Sequence, residues 1–261
     1  MSHIPPEERR ARIAEEVRRQ GAATIDALAG RFGVTEQTIR RDVNALCDAG
    51  LLRRRHGGVE LPVQRENLPY ESRQVLHQAE KQAIARAVAG LVPDGASVAL
   101  SIGTTPELIA RALVEHRDLK IYTNNLNVAL ALCANPGFEV TLPGGRVRNR
   151  YRDLVGAAQT RFFAGYNVDF GIFGVGGIDD DGELLDFAEE EVEARQAILA
   201  NCRRALLVAD HTKFGRNAVV RGGHLAEVDV LVTDRAPPPA MAARLDAAGV
   251  TVHLAPREAL S

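Results

Sequence analysis

Apolar residues recur at helical spacing up to about residue 50. Beyond residue 80 they gather into short continuous runs that alternate with helical stretches. Arg12 to Gln20 predicts an amphipathic helix with Ile13 and Val17 inward, ended by Gly21. Thr24 caps a second, shorter helix with Ile25, Leu28 and Phe32 inward, and Gly33 makes the turn into a third. The third helix starts at Thr35, a good N-cap, and stops at Gly50. At 100° per residue its Ile39, Val43 and Leu46 fall within about 60° of one another and define a buried face. Gln37, Arg41 and Asn44 lie opposite, flanked by Thr38 and Arg40. Such multi-donor side chains suit base edges, arginine to guanine and Gln or Asn to adenine. A solvated helix face can carry the same residues, but two preceding helices at this spacing make a helix-turn-helix.

After Gly50, Leu51-Leu52 and Val59-Glu60-Leu61 predict two short strands. Between them Arg53, Arg54, Arg55 and His56 lead into Gly57-Gly58, a hairpin turn carrying cations suited to phosphate or minor-groove contact. Residues 1–61 are therefore expected to be a winged helix-turn-helix domain that binds operator double-stranded DNA. Paired recognition helices reading two half-sites would require a homo-oligomer.

Residues 62–78 are polar, hold two prolines and show no clean period, which predicts a linker. Residues 79–261 predict a second, α/β domain with a mostly parallel sheet. Strands are expected at 97–100, 120–123, 139–142, 169–173, 206–209, 228–232 and 250–254. Helices are expected at 80–90, 106–114, 126–134, 190–202 and 239–248. Ligands of such sheets bind beyond the carboxyl ends of the strands. Four strand ends carry suitable chemistry. Gly103-Thr104-Thr105 runs straight into a helix, where free N–H groups favour an anion. Asn124 and Asn125 could read a hydroxyl or phosphate, or simply cap a helix. Pro143-Gly144-Gly145-Arg146-Val147-Arg148 offers an anion nest with two guanidiniums, or a plain glycine turn. Asp210 to Asn217 contains Lys213, one of only three lysines in a chain that otherwise uses arginine. Together these ends predict a site for a small phosphorylated polyol or sugar.

The net charge of −2 conceals a difference: residues 1–60 carry +2 and the remainder −4. Positive charge is thus local, which excludes a general nucleic-acid coat. Cys47, Cys133 and Cys202 have no metal-ligand spacing, and neither a metal nor a cofactor is expected. No run approaches the 18 apolar residues of a membrane span and no leader pattern opens the chain, so a cytoplasmic protein is expected. An isomerase would need a general base beside the substrate carbon. Gly174-Val175-Gly176-Gly177-Ile178 supplies no acid, Asp179-Asp180-Asp181-Gly182 reads as an exposed turn, and Glu189-Glu190-Glu191 is explained by a helix dipole. A sensor is expected rather than an enzyme.

Val34-Thr35-x-x-Thr38-Ile39-Arg40-Arg41-Asp42-Val43, followed by Arg55-His56-Gly57-Gly58, resembles the N-terminal domain of DeoR-type bacterial transcriptional regulators. The resemblance extends through Gly103-Thr104-Thr105, Thr123-Asn124-Asn125, Gly144-Gly145, Gly176-Gly177-Ile178-Asp179 and Asp210 to Gly215, and covers roughly residues 8–255. It implies a repressor of carbon-metabolism genes whose C-terminal sensor is similar in fold to ribose-5-phosphate isomerase. The implied effector is a small phosphorylated molecule, glycerol 3-phosphate or another sugar phosphate. Ser101 departs from the acid usual in the family, and Asn149 to Leu154 lacks the expected glycines.

Overall fold

The computed structural model describes residues 4–48, 51–55, 57–60 and 67–255, and only the backbone of Arg18 and Arg19. The chain divides into two compact units, residues 1–64 and 65–261. Gly50, His56 and Leu61, expected as helix stop, wing residue and strand end, lie outside the described residues, as do positions 62–66.

In the first unit α1 (Pro6–Gln20) begins with proline and two glutamates, which suit the positive end of a helix. Strand β1 (Ala22–Thr24) follows, and Thr24 Oγ1 caps α2 (Ile25–Phe32) by accepting from Ala27 N at 3.2 Å. Gly33, left-handed at φ 63°, ends that helix. Thr35 Oγ1 accepts from Thr38 N at 3.3 Å and opens α3 (Glu36–Asp48). Ile13, Val17, Leu28, Ile39, Val43 and Leu46 form one core with Leu52 and Val59. Phe32, expected inward, is only partly buried.

The wing differs from the expectation. Its strands are β2 (Arg53–Arg55) and β3 (Gly58–Glu60), so the three arginines stand in a strand rather than in the turn. Cross-strand pairing of Arg53 with Glu60 and Arg55 with Gly58 sets that register. β1, which the hydrophobic pattern does not announce, pairs with β3 on its other side. A Cβ at position 58 would run into the Ala23 carbonyl, so only glycine permits the pairing.

The second unit is a doubly covered parallel sheet. Helices α4 (Tyr70–Val75) and α5 (Gln78–Ala89) lead into β4 (Ser97–Leu100), α6 (Thr104–Leu113), β5 (Lys120–Thr123), α7 (Leu126–Leu132) and β6 (Glu139–Thr141). A small hairpin, β7 (Arg146–Arg148) and β8 (Asp153–Val155), precedes α8 (Ala157–Ala164) and β9 (Val168–Phe173). Then come β10 (Gly177–Ile178), β11 (Glu183–Asp186), α9 (Glu189–Leu199), β12 (Cys202–Val208), β13 (Val220–His224), β14 (Val230–Thr233), α10 (Pro239–Ala247) and β15 (Thr251–Leu254). The main sheet has the order β15-β14-β12-β9-β4-β5-β6, and every pairing in it is parallel. Its strands coincide with the seven runs read from the sequence. Val98, Leu100, Ile172 and Leu206 face one core, with Ile84, Ile109 and Leu113. Their neighbours Ala99, Phe173 and Leu207 face the other, with Ile198, Leu231 and Met241. Strands buried on both faces read as continuous apolar runs for this reason.

The chain runs outward from β4 through β5 to β6, then returns to β9 on the other side of β4. That reversal opens a crevice at the carboxyl ends of β4 and β9, the usual ligand position in open α/β sheets. Of the segment expected as linker, residues 67–78 pack in this unit: Tyr70 of α4 is buried. The short helix has no apolar period of its own, and contacts with the sheet unit hold it.

Candidate functional sites

On α3, Gln37, Arg41 and Asn44 are exposed, as are Thr35 and Arg40, with Thr38 half-buried. No hydrogen bond or ion pair to a described residue occupies Gln37, Arg41 or Asn44, so their donors face solvent. Arg40 is tied to Glu36 at 3.0 Å, one turn back. From behind, Arg9 Nε donates to Asp42 at 2.6 Å, both buried, and pins α1 to α3. The wing arginines are all exposed but not alike. Arg53 pairs with Glu60. Arg54 stands near the Cys47 thiol, whose pKa burial pushes up and the Arg54 charge pulls back. Arg55 has no partner among the described residues.

The second site lies at the strand ends of the sheet. Gly103, at φ 132°, turns β4 into α6, and Thr104 and Thr105 are buried in its first turn. Asn125 Oδ1 caps α7, accepting from Asn127 N at 2.9 Å and Val128 N at 3.4 Å. Asn124 Nδ2 reaches across to Leu154 O at 3.1 Å and Gln159 Oε1 at 2.9 Å, tying β5 to β8 and α8. Both asparagines thus have structural tasks, although Asn124 Oδ1 and Asn125 Nδ2 are buried with no hydrogen-bond partner among the described residues. Gly144 and Gly145 lie exposed before β7, and Arg146 on that strand is exposed too. The arginine that turns inward is Arg148, two residues on: it binds Asp153 at 3.0 and 2.6 Å and meets Glu191 at 3.4 Å.

Past β12, Asp210 Oδ1 caps a single helical turn by accepting from Thr212 N at 3.0 Å. Burial raises the Asp210 pKa, but Lys213, the Thr212 hydroxyl, His77 and Lys81 outweigh it and hold the carboxyl at about 2. Burial pushes the Lys213 pKa far down, and Arg216, Lys81 and Arg73 push the same way against the pull of Asp210. Lys81 is depressed to about 8, again by burial first and by Arg73 and Arg216, with Asp210 opposing. Two of the chain's three lysines, Lys81 buried and Lys213 half-buried, therefore act on one another and on two half-buried arginines, Arg73 and Arg216. Among the described residues Lys213 Nζ has no hydrogen-bond acceptor. Such a concentration of ammonium and guanidinium groups is suited to an oxyanion.

Arg73 and Lys81 escaped the sequence reading, whereas Arg148 and Arg216 stood in its third and fourth strand ends. Lys81 carried the same signal as Lys213, scarcity of lysine, but stands on a helix away from any strand end. Glu191, read as a dipole partner only, is buried; burial and Asp186 raise its pKa to about 7 against Arg148 and Arg73. Glu189 and Glu190 belong elsewhere, lining a cleft with Gly156, Thr160 and Arg161. Asp179 to Gly182 is a turn, with Asp179 Oδ1 accepting from Asp181 N at 3.0 Å and Glu183 N at 2.9 Å.

One group among the described residues, Glu80, His211 and Asp234, brings a nitrogen and two carboxylate oxygens within 4.8 Å of one another. Asp234 there accepts from His211 N at 2.7 Å and from Nδ1 at 2.8 Å, so it clamps the turn that carries Lys213. Asp186 and Arg195 form a further buried pair at 2.7 Å, with Gly176 N donating to Asp186 at 2.7 Å.

A helix-turn-helix with exposed donors on one unit and a cluster of cations at the strand ends of the other suit a ligand-responsive transcriptional regulator. Residues 9–65 match the DeoR-like helix-turn-helix domain and residues 76–235 the DeoR C terminal sensor domain, and the chain belongs to the DeoR family. It is 45% identical to the glycerol-3-phosphate regulon repressor of Escherichia coli, over 87% of this chain and 90% of that protein. The repressor of the same name from Haemophilus influenzae is 42% identical over 88% and 89%. The HTH-type transcriptional repressor CsqR of Escherichia coli is 40% identical over 92% of each. These relatives are repressors, not enzymes. Ribose 5-phosphate isomerase from Plasmodium falciparum overlaps 52% of each chain at 13% identity and a TM-score of 0.38. Among the described residues no helix is long and apolar enough to cross a membrane.

Proposed function

We propose that this repressor senses a small phosphorylated polyol, glycerol 3-phosphate in the first instance, and leaves its operator when the sensor binds it. The observation that carries the reading is the pocket of Lys213, Lys81, Arg73 and Arg216, where mutual repulsion and burial depress both ammonium groups. A dianion relieves that repulsion, whereas a neutral polyol does not. In this reading Gly103, Thr104 and Thr105 offer backbone N–H groups to the phosphate, Asn124 and Asn125 supply amides to the hydroxyls, and Gly144, Gly145 and Arg146 add a nest and a guanidinium. On the DNA side Gln37, Arg41 and Asn44 read base edges, while Thr35, Thr38, Arg40, Arg53, Arg54, Arg55 and His56 hold phosphates. The protein acts in the cytoplasm as a homo-oligomer whose reading helices meet two half-sites.

The test is operator binding by fluorescence anisotropy, using DNA selected from a random-sequence pool. Glycerol 3-phosphate should weaken binding about a hundredfold, or about 2.7 kcal/mol of coupling, and glycerol should not. Lys213→Ala should bind operator normally and ignore the phosphate. Release by glycerol alone, or a Lys213→Ala protein still released, would overturn the reading.

A further inference from the structure

Helix α4 is the first helix the chain forms after the DNA-reading unit ends at residue 64, and residues of the sensing rim grip it at both ends. At its N-terminus Tyr70, buried, donates its hydroxyl to Glu107. Glu107 lies two residues past Thr105, in the first turn of α6. Gln74 Nε2 donates to the same carboxylate at 3.2 Å. Asn127 Nδ2 of α7 completes the knot, 3.1 Å from Tyr70 Oη and 3.3 Å from Glu107. Between the two ends Arg73 lies over the Tyr70 and Tyr151 rings, 5.4 and 5.5 Å from their centroids. At the C-terminal end Lys81 Nζ donates to Arg73 O and, at 2.7 Å, to Leu76 O.

A six-residue helix does not hold itself together in water, so these grips decide where α4 stands. Lys81 divides its donors between the last carbonyls of α4 and the pocket it shares with Lys213. An ammonium is drawn to an oxyanion by full charge on both partners, and to a neutral carbonyl only by a charge–dipole attraction. An anion in the pocket therefore competes with Arg73 O and Leu76 O for the same ammonium.

We propose that α4 is the relay between sensor and DNA-reading unit. With the pocket empty, the Tyr70–Glu107 knot and the Lys81 grip, with Arg150 and Arg216 donating to Asn67 just before α4 at 3.2 Å each, fix the point where the connecting segment leaves the sensor. An anion draws Lys81 away from α4, loosens the C-terminal grip and frees that point to shift. The proposal rests on the pocket being the effector site, but the knot itself can be tested without any effector.

Tyr70→Phe, Glu107→Gln and the double variant are compared on the selected operator, as full-length protein. Each single variant should weaken operator binding at least fivefold with no ligand present. The double variant should be no weaker than the worse single, because all three break one contact. Singles that bind within twofold of wild type overturn the relay. Leu231→Ala, in the core away from α4, controls for lost stability: it should bind operator within twofold, and an equal loss there also overturns the relay. A second arm titrates glycerol 3-phosphate by calorimetry into wild type and Tyr70→Phe. Binding within twofold, with the operator-release factor cut from about a hundred to ten or less, supports the relay. Full release of Tyr70→Phe overturns it. Failure of wild type to bind the phosphate overturns the effector reading, while the ligand-free variants still decide the knot.

Discussion

The two units handle positive charge in opposite ways. The first unit leaves Arg41 and Arg53 to Arg55 in solvent and, among the described residues, buries only one arginine, Arg9, against Asp42. The sensor unit buries Arg195 to 1% and Lys81 to 5% exposure. An extended polyanion is recognised by many solvated cations that displace condensed counterions, each modest in energy and sensitive to salt. A single small anion is recognised by a few desolvated cations, where each contact is strong and depends little on salt. The contrast predicts that charge removal should damage function without stability in one unit, and stability or ligand binding in the other.

The largest effect should come from Arg195→Ala. It leaves Asp186 buried and unpaired, which costs about 3–5 kcal/mol. Urea denaturation followed by circular dichroism measures this, and a loss under about 1 kcal/mol would show that Asp186 is not relying on that partner. Arg41→Ala should come next, losing about 1–3 kcal/mol of operator affinity, more on the selected sequence than on random DNA. Its melting temperature should stay close to wild type; equal losses on all sequences would take Arg41 out of base reading. Arg55→Ala, at the partnerless wing position, should weaken all DNA alike and lower the slope of log affinity against log salt by about one. An unchanged slope would remove Arg55 from the phosphate contacts.

The smallest effect is the pH response of the sensor. Only the protonated Lys81 attracts an anion, and burial holds its pKa in the free protein near 8. A bound anion raises that pKa, so above pH 8 binding takes up a proton and weakens as pH rises. From pH 7 to 8 this group leaves affinity nearly flat. Calorimetry in two buffers of different ionisation enthalpy reads the proton uptake directly, and affinity that stays constant to pH 10 would exclude Lys81 from the site.

How much was legible follows from which forces hold each element. The seven strands of the main sheet are covered on both faces, so each announces itself as an apolar run. The reading helix announces itself through Ile39, Val43 and Leu46, which pack where their 100° spacing puts them. Helix α4 and strand β1 do not: Tyr70 is held by Glu107 from 37 positions away, and β1 exists because Gly58 lets β3 approach Ala23. In the pocket, Asp210 and Lys213 stand at a strand end and can be found by that rule. Lys81 and Arg73 arrive from a helix and a short connecting helix, and no local period records such convergence.

The third strand of the wing has a kinetic meaning. Because β1 joins α1 to α2 and pairs with β3, the wing is bonded to the helices, and Val59 of β3 shares a core with Ile39 and Val43 of α3. The entropy of ordering the wing is therefore spent during folding and not at the DNA surface. Encounter with DNA should then run at the pace of diffusion and electrostatic steering, and operators should be told apart by how long the protein stays on each rather than by how fast it arrives.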